Sequence, residues 1–318
     1  MASASWNSFD APTDRSEEAS LPSDAEIVRR NLDLLAAEEN ALQARRALQI
    51  SELSALLSLP EHAALRDELS DFAVAAFQYN DTLRSSEDTA RFCLEMIRRG
   101  YPIAREGHSD ELFGSGEPIS QKASGRVAYL RSRVADEAFL ALTAPLQKPK
   151  AAYFSSFSDV CEEVYHGLCE YCILPVESAD GGKLLSFYSL IEKFELRIVS
   201  VTDLDDGKGG YTRYALLSHR YVSPYPIGAS GKRCYAEFLL VLNDRLSLSD
   251  VLLAAELLGM RVTRTDSFPL PDRRDAYRYG LVFLLPEGAE LAPTVEAFLL
   301  YLSVSLPEYT PLGVYTKL

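Results

Sequence analysis

The sequence lacks the long apolar segment that would cross a membrane and the basic excess that favours nucleic-acid binding. Its apolar runs are short, for example Phe238–Leu242, whereas a membrane span needs roughly 20 residues. Acidic residues outnumber basic ones by 46 to 32, which gives a formal net charge of −14. The sequence therefore predicts no membrane and no nucleic-acid partner.

Histidine and cysteine are scarce and poorly placed for a metal site. The four histidines show no ligand spacing, and Cys169-x-x-Cys172 has neither a second pair nor a nearby histidine pair. We interpret the two cysteines as small half-buried residues, and we expect no metal and no cofactor. An odd count of five cysteines, with no basic start or apolar run of a signal peptide, predicts reduced thiols and a cytoplasmic location.

The first third of the chain is predicted to be helical. Residues 1–22 are polar and aperiodic and predict a disordered tail. A capping box at Ser23–Glu26 precedes apolar residues at seven-residue spacing. These are Ile27, Leu34, Ala41 and Leu48. We expect one helix of more than 30 residues and two shorter ones, at about 61–81 and from Ser85 to Gly100.

One long helix and two shorter ones cannot bury an apolar stripe of this length within one chain. The pattern therefore favours a second copy of the chain, that is, a homodimer. We assign the helical domain to residues 23–102. The glycine-rich, charged segment at 103–125 is predicted to be a linker.

Strands and helices alternate from residue 126 to residue 220. The alternation predicts an α/β domain with a parallel sheet. A helix at 158–168 is expected to be capped by Ser158 or Asp159. After a second linker at 221–233, residues 234–318 show the order β-α-β-β-α-β, which is that of a ferredoxin-like module of regulatory size.

Several short motifs, in order, resemble the prephenate dehydratase family. They are Arg126–Leu130, Phe157-x-Asp159-Val160 with Gly167, Leu174–Ser178, Tyr211–Tyr214 and Leu312–Tyr315. The resemblance covers residues 126–318. It implies a periplasmic-binding-protein-like α/β lobe, a C-terminal ACT domain, and conversion of prephenate to phenylpyruvate in L-phenylalanine biosynthesis.

The resemblance also implies roles for individual residues. Thr212 would donate a hydrogen bond to the departing hydroxyl, Arg213 would add to a positive rim, and Tyr214 would form an apolar wall. Glu177 and Ser178 would lie at the end of the third strand, where open α/β sheets bind ligands. The alternative is that Thr212 and Arg213 are ordinary strand residues.

Two segments correspond to the amino-acid effector site of the ACT domain in this family. Leu246-Ser247-Leu248 stands where the family has Gly-Ala-Leu. Asp266-Ser267-Phe268-Pro269 stands where it has Glu-Ser-Arg-Pro. The resemblance implies that these residues bind an effector such as phenylalanine, although a leucine replaces the glycine that lets the backbone approach it.

Fused members of the family carry a chorismate mutase, a helical dimer, in front of the dehydratase. Arg29 and Arg46 resemble the two arginines that bind substrate carboxylates in the first helix of that enzyme, and Arg66-Asp67-Glu68 loosely resembles a later motif. The alternative interpretation is that Arg29 and Arg46 lie on a solvated helix face.

These expectations combine into a multidomain α and α/β protein, with an N-terminal helical bundle, a single α/β lobe and a ferredoxin-like C-terminal domain. Only one helix and one strand are predicted between Glu177 and Thr212, where the family inserts a second lobe. A dehydratase with reduced or lost activity is therefore the first functional hypothesis. The others are an inert protein that senses an aromatic metabolite, and a chorismate mutase.

Overall fold

The computed structural model describes ten stretches of the chain. They are residues 24–59, 86–100, 125–178, 182–183, 185–205, 209–219, 232–242, 246–270, 277–306 and 308–318. The predicted tail at 1–22, the predicted helix at 61–81 and nearly all of both predicted linkers lie outside these residues. The capping residue Ser23 also lies outside them.

The chain divides into two compact units, residues 1–46 and residues 47–318. Helix α1 (Asp24–Leu57) begins in the first unit and ends in the second. Its 34 residues confirm the prediction of a helix longer than 30. Most of its large apolar residues are exposed, namely Ile27, Val28, Leu32, Leu34, Leu35, Leu42 and Leu48.

The α/β region contains each strand and helix that the sequence predicts for 126–220. The elements are β1 (Arg126–Leu130), α3 (Arg133–Leu142), β2 (Lys150–Phe154), α4 (Phe157–Tyr165), β3 (Tyr171–Ser178), β4 (Gly182–Lys183), α5 (Leu185–Lys193), β5 (Arg197–Asp205) and β6 (Tyr211–Ser218), preceded by α2 (Ser86–Arg98). The predicted cap of α4 is wrong: Ser156 caps it, because its side chain accepts a hydrogen bond from the backbone N–H of Asp159.

The prediction of a parallel sheet is only partly right. Strand β1 pairs in parallel with β2 and β3, but β6 is antiparallel to both β3 and β5. The antiparallel pairing of β5 with β6 follows from the length of the connection between them, residues 206–210. This connection is long enough for a hairpin and too short for the crossover that parallel neighbours need.

The C-terminal segment has the predicted order of elements. Its elements are β7 (Cys234–Val241), α6 (Leu248–Leu257), β8 (Arg261–Pro269), β9 (Tyr277–Leu284), α7 (Leu291–Ser305) and β10 (Glu308–Lys317). These strands form antiparallel pairs in the order β10-β7-β9-β8. This is the strand order of a ferredoxin-like sheet.

One sheet runs through both α/β segments of the second unit. The end of β10 pairs in parallel with β5, where Thr316 faces Ser200 and Lys317 faces Val201. The resulting order is β2-β1-β3-β6-β5-β10-β7-β9-β8. The lobe and the C-terminal segment are therefore joined edge to edge by backbone hydrogen bonds.

Helix α7 is apolar on all sides, and other elements cover both of its faces. Phe298 packs between Phe238 and Phe283 of the sheet, with ring centroids 5.2 and 5.3 Å away. Helix α2 packs against α6 and α7 from the other side, with Phe92, Cys93 and Met96 buried. A helix with no polar face needs such a second covering layer.

This packing changes two expectations. The sequence groups α2 with the N-terminal helices, but α2 packs on the C-terminal helices. The aromatic residues of the C-terminal strands also favour a dimer of side-by-side sheets, through one apolar sheet face formed by Tyr235, Phe238, Tyr279 and Phe283. Instead, Phe238 and Phe283 lie under α7, and Tyr235 points to the opposite face because side chains alternate along a strand.

All five cysteines are buried free thiols. Burial raises the pKa of the Cys172 thiol above its usual range, and a neighbouring Cys161 thiol adds to the shift. Among the described residues, no helix combines the length and the apolar character that crossing a membrane requires.

Candidate functional site

A cleft of about 270 Å³ lies where the lobe meets the C-terminal sheet. Its charged lining residues are Glu177, Arg213, Arg264 and Lys317. Its other walls are Tyr211, Tyr235, Tyr315, Val201, Val282 and Thr263. The cleft therefore combines three cations, one carboxylate and an aromatic and aliphatic wall.

Glu177 is the centre of the hydrogen bonds in this cleft. A register shift between Pro175 and Glu177 places its side chain opposite Arg213 on the cleft face of the sheet. Its Oε1 accepts from the hydroxyl of Tyr211 at 2.6 Å, and its Oε2 accepts from Arg213 Nη1 at 3.2 Å. Arg264 Nη1 of strand β8 forms a further ion pair with Oε2.

The three cations are held in place by two further acids. Asp203 accepts from Arg213 Nε at 2.6 Å and Nη2 at 2.9 Å, and its Oδ2 also lies 2.7 Å from Lys317 Nζ. Asp266 accepts from Arg264 Nε at 2.8 Å. Neither Asp203 nor Asp266 is among the residues that line the cleft.

These contacts shift the pKa values of the acids downward. Burial acts to raise the pKa of Glu177, but hydrogen bonds from Arg264 and Tyr211 outweigh it and leave that pKa below its ordinary value. Burial likewise opposes the hydrogen bonds from Arg213 and Lys317, which lower the pKa of Asp203. Both acids are therefore anionic at neutral pH.

The residues predicted to be catalytic do not share one face of the sheet. Arg213 and Glu177 line the cleft. Thr212 is paired with Ser178 and Leu204, and it precedes Arg213 in an extended strand, so its side chain points to the opposite face. Tyr214 is on that opposite face too, where it packs against the core under the helices.

The residues predicted to bind an effector are also separated within one chain. Ser247 is the N-cap of α6, and its hydroxyl bonds Asp250 in a capping box. Leu246 and Leu248 pack against the core on the helix side of the sheet. Asp266 lies on the other side, with Arg264.

Phe268 and Pro269 end strand β8 near the lobe. Phe268 packs on Tyr188 of α5, with ring centroids 5.0 Å apart, and not on α6. Ser267 faces Tyr279 across the strand pair. The aromatic side chain that replaces the arginine of the family motif thus takes part in the packing of α5 on the sheet.

The two predicted mutase arginines lie on α1. Arg29 is exposed and Arg46 is half-buried. They are 17 positions apart, which corresponds to about 25 Å along a helix axis. One chain therefore does not bring Arg29 and Arg46 to the same ligand.

Sequence reasoning gave no role to three residues that line the cleft, Tyr211, Arg264 and Lys317, or to Asp203, which orients two of the cations. Their positions relative to Glu177 depend on strands that are distant in sequence. The one local signal is Arg264-x-Asp266, because residues two apart in a strand share a face and an ion pair there is a common device. In the described part of the chain, no group of three or more potential metal ligands is found.

The fold is similar to that of solved prephenate dehydratases. The enzyme from Streptococcus mutans matches with a TM-score of 0.50 and 21% identity, over 61% of this chain and 98% of that one. A prephenate dehydratase from Arthrobacter aurescens in complex with L-Phe gives 0.45 and 14%, over 60% and 89%. A structure described as a novel type of quorum quenching acylase gives 0.45 and 20%, over 60% and 94%.

No protein-family model matches the sequence, and no curated protein is significantly similar to it. The likeness to the Streptococcus mutans enzyme shows a related mixed α/β fold. At this identity the likeness concerns the fold alone, so activity has to be argued from the residues of the cleft.

Proposed function

We propose that the protein is a divergent relative of prephenate dehydratase that binds a small metabolite of L-phenylalanine biosynthesis and does not dehydrate prephenate. The main support for this proposal is that Arg213 is hydrogen-bonded to two acids of its own chain. The arginine that would hold a substrate carboxylate donates three of its nitrogens to Asp203 and Glu177 instead. Both acids would have to be displaced before Arg213 could bind a substrate in this way.

The chemistry of dehydration supports the same conclusion. Prephenate loses CO2 and hydroxide together, so a site must protonate or hydrogen-bond the departing hydroxyl while cations hold two carboxylates. The expected hydroxyl donor, Thr212, belongs to the sheet face opposite Arg213. A donor and a cation on opposite faces cannot act on one bound substrate.

Binding a ligand requires fewer precisely placed groups in the cleft than catalysis does. A concave site with an apolar wall and a few fixed charges is sufficient, and the cleft at Glu177 has these features. The C-terminal segment has the strand order that small regulatory modules use. We assign it to the ACT type, with a regulatory role.

The experiment that tests the proposal is phenylpyruvate formation from prephenate by the purified full-length protein at high concentration. We expect a rate equal to the uncatalysed rate. A rate that rises in proportion to protein, falls in Thr212→Ala and persists in Thr265→Ala would restore the dehydratase assignment. Thr265 is a suitable control because it is an exposed threonine on strand β8.

Chorismate mutase activity is a second candidate function, and it rests on helix α1. Two antiparallel copies of the helix would bring Arg29 of one chain beside Arg46 of the other. The exposed leucines of α1 favour such pairing. Chorismate turnover that is lost in both Arg29→Ala and Arg46→Ala, and retained in Arg45→Ala, would support this candidate. Turnover that survives both substitutions would exclude it.

A further inference from the structure

We infer that the cleft at Glu177 binds a small aromatic monocarboxylic acid that carries no ammonium group. The ligand would lie between the lobe and the C-terminal sheet, a position distinct from the two segments that resemble an effector site. This inference rests on the proposed function, and it adds the location of the site and the chemical class of the ligand.

The charge of the cleft lining favours an anionic ligand. Among the described residues, Arg213, Arg264 and Lys317 face the cleft with Glu177 as the one lining acid that opposes them. The acids that orient them, Asp203 and Asp266, contact them from outside the lining. The guanidinium of Arg213 is already used by Asp203 and Glu177. Arg264 and Lys317 are fixed by acids behind them, so little ordering remains to be done when these two cations bind an anion.

Arg264 and Lys317 carry more N–H donors than their acidic partners use. Arg264 uses Nε on Asp266 and Nη1 on Glu177, and its guanidinium carries five N–H donors in all. The ammonium of Lys317 has three donors, of which Asp203 takes one. Carboxylate oxygens are strong acceptors for such charged donors.

The charge balance of the cleft limits the ligand to one negative charge. Three cations and three acids already balance in the network of Glu177, Asp203 and Asp266 with their partners. A monoanion adds one charge to this balance, and a dianion adds two. A partly desolvated site tolerates the first better than the second.

The burial of Glu177 excludes a ligand with an ammonium group. Glu177 is the only acid that lines the cleft among the described residues. Its side chain is 5% exposed, and it already accepts from Tyr211, Arg213 and Arg264. An ammonium group in the cleft would therefore face cations without gaining an accessible carboxylate.

The uncharged walls of the cleft favour an aromatic ligand. The rings of Tyr235 and Tyr315 are stacked, with centroids 6.1 Å apart, and they form one wall of the cleft with Val201 and Val282. Aromatic rings favour such stacked or edge-on partners. A cleft of about 270 Å³ suits a ligand of one ring and a short side chain.

Three ligands that contain the 3-phenylpropionate skeleton test the inference by calorimetric titration of the full-length protein. They are 3-phenylpropionate, L-phenylalanine, which adds an ammonium group, and benzylmalonate, which adds a second carboxylate. We expect 3-phenylpropionate to bind at least about tenfold more tightly than the other two. Tighter or equal binding of L-phenylalanine overturns the inference, and so does a lack of binding by all three.

Two variants locate the binding. Arg264→Gln and Lys317→Gln should each weaken 3-phenylpropionate binding by roughly tenfold to a hundredfold, as expected for a lost hydrogen bond to a charged group. Lys317→Gln is included because Lys317 is more exposed than Arg264 and its loss threatens folding less. Arg133→Gln, an exposed arginine on α3, is the matched control.

The outcomes separate this inference from the proposed function. Binding that both cleft variants leave unchanged overturns the inference, since the ligand then lies elsewhere, but a metabolite-binding role remains. Prephenate turnover by the wild-type protein overturns the proposed function, whatever the titrations show.

Discussion

The hydroxyl of Tyr188 donates a hydrogen bond of 2.8 Å to the buried carboxylate of Glu237. Tyr188 belongs to α5 of the lobe, whereas Glu237 belongs to β7 of the C-terminal segment. Tyr315 donates a second hydrogen bond, of 2.9 Å, to the other carboxylate oxygen. A carboxylate that is 2% exposed needs such donors, so this contact fixes α5 over the C-terminal sheet.

Substitution Tyr188→Phe should lower the stability of the protein. It removes the hydroxyl and keeps the ring that packs on Phe268. Glu237 then loses one donor in a buried position, and we expect a decrease of about 1–3 kcal/mol in the free energy of unfolding. Urea unfolding of the full-length protein measures it. Tyr277→Phe, at an exposed tyrosine, should change the same quantity by less than about 0.5 kcal/mol.

The ion pairs of Glu177 should make the stability of the folded protein depend on pH in the acidic range. The pKa of Glu177 is lowered in the folded protein, because hydrogen bonds from Arg264 and Tyr211 outweigh burial, which acts to raise it. The unfolded chain therefore takes up this proton first as the pH falls. The stability that the Glu177 carboxylate supplies is complete above its unfolded pKa of about 4.3 and is lost as the pH falls through the folded pKa.

Urea unfolding of the wild type and Glu177→Gln between pH 7 and pH 3 tests this linkage. We expect the variant to be less stable at pH 7, and the difference to shrink as the pH falls below about 4.3. The same series for Glu137→Gln, an exposed glutamate on α3, should show no such convergence. A constant difference for Glu177→Gln would mean that the carboxylate charge does not stabilise the folded state.

The sequence predicts the elements of this fold well because they depend on local pattern. The alternation from Arg126 to Ser218 and the β-α-β-β-α-β order after Cys234 are both found in the structure. Pairing depends on residues that are distant along the chain. The contact of Thr316 with Ser200, which joins the two segments into one sheet, has no signal in either strand alone.

The contacts of the candidate site could not be predicted from local pattern, but the opposite orientation of Thr212 and Arg213 could. The ion pair between Glu177 and Arg264 joins two segments whose relative position no short motif encodes. The separation of Thr212 from Arg213, in contrast, follows from the sequence. Adjacent residues in a predicted strand point to opposite faces, so these two could not have been expected to contact one substrate from the same face.

Gly313 explains one element of the closing Leu312–Tyr315 motif. Its φ of +151° is in a region that side chains rarely adopt, and a Cβ at this position would lie 2.3 Å from the carbonyl oxygen of Ile198 in β5. The neighbouring atom is backbone, so it cannot move aside without disturbing β5. The glycine therefore permits the close approach of β10 and β5.

Gly313→Ala should accordingly destabilise the protein by roughly 2–4 kcal/mol, through strain and the clash with β5. Gly167→Ala is the matched control: Gly167 also has a positive φ, of +71°, but a Cβ there would meet no described atom within 4 Å. We expect the control to cost only about 1 kcal/mol of strain. Equal losses in urea unfolding would show that the contact between β10 and β5 adds nothing.

Helix α1 predicts that the protein forms a homodimer. Its apolar residues at seven-residue spacing, including Leu34 and Leu48, are exposed in a single chain, and apolar stripes of this length are stable in water when another helix covers them. The double substitution Leu34→Glu and Leu48→Glu puts two negative charges into this stripe. It should therefore convert the protein to a monomer in sedimentation equilibrium. Ala36→Glu, which adds a charge at an exposed position about 120–160° around the same helix from Leu34 and Leu48, should leave the dimer intact. A wild-type chain that sediments as a monomer at all accessible concentrations would contradict pairing through α1, and with it the mutase candidate, because Arg29 and Arg46 of one chain are too far apart to share a substrate.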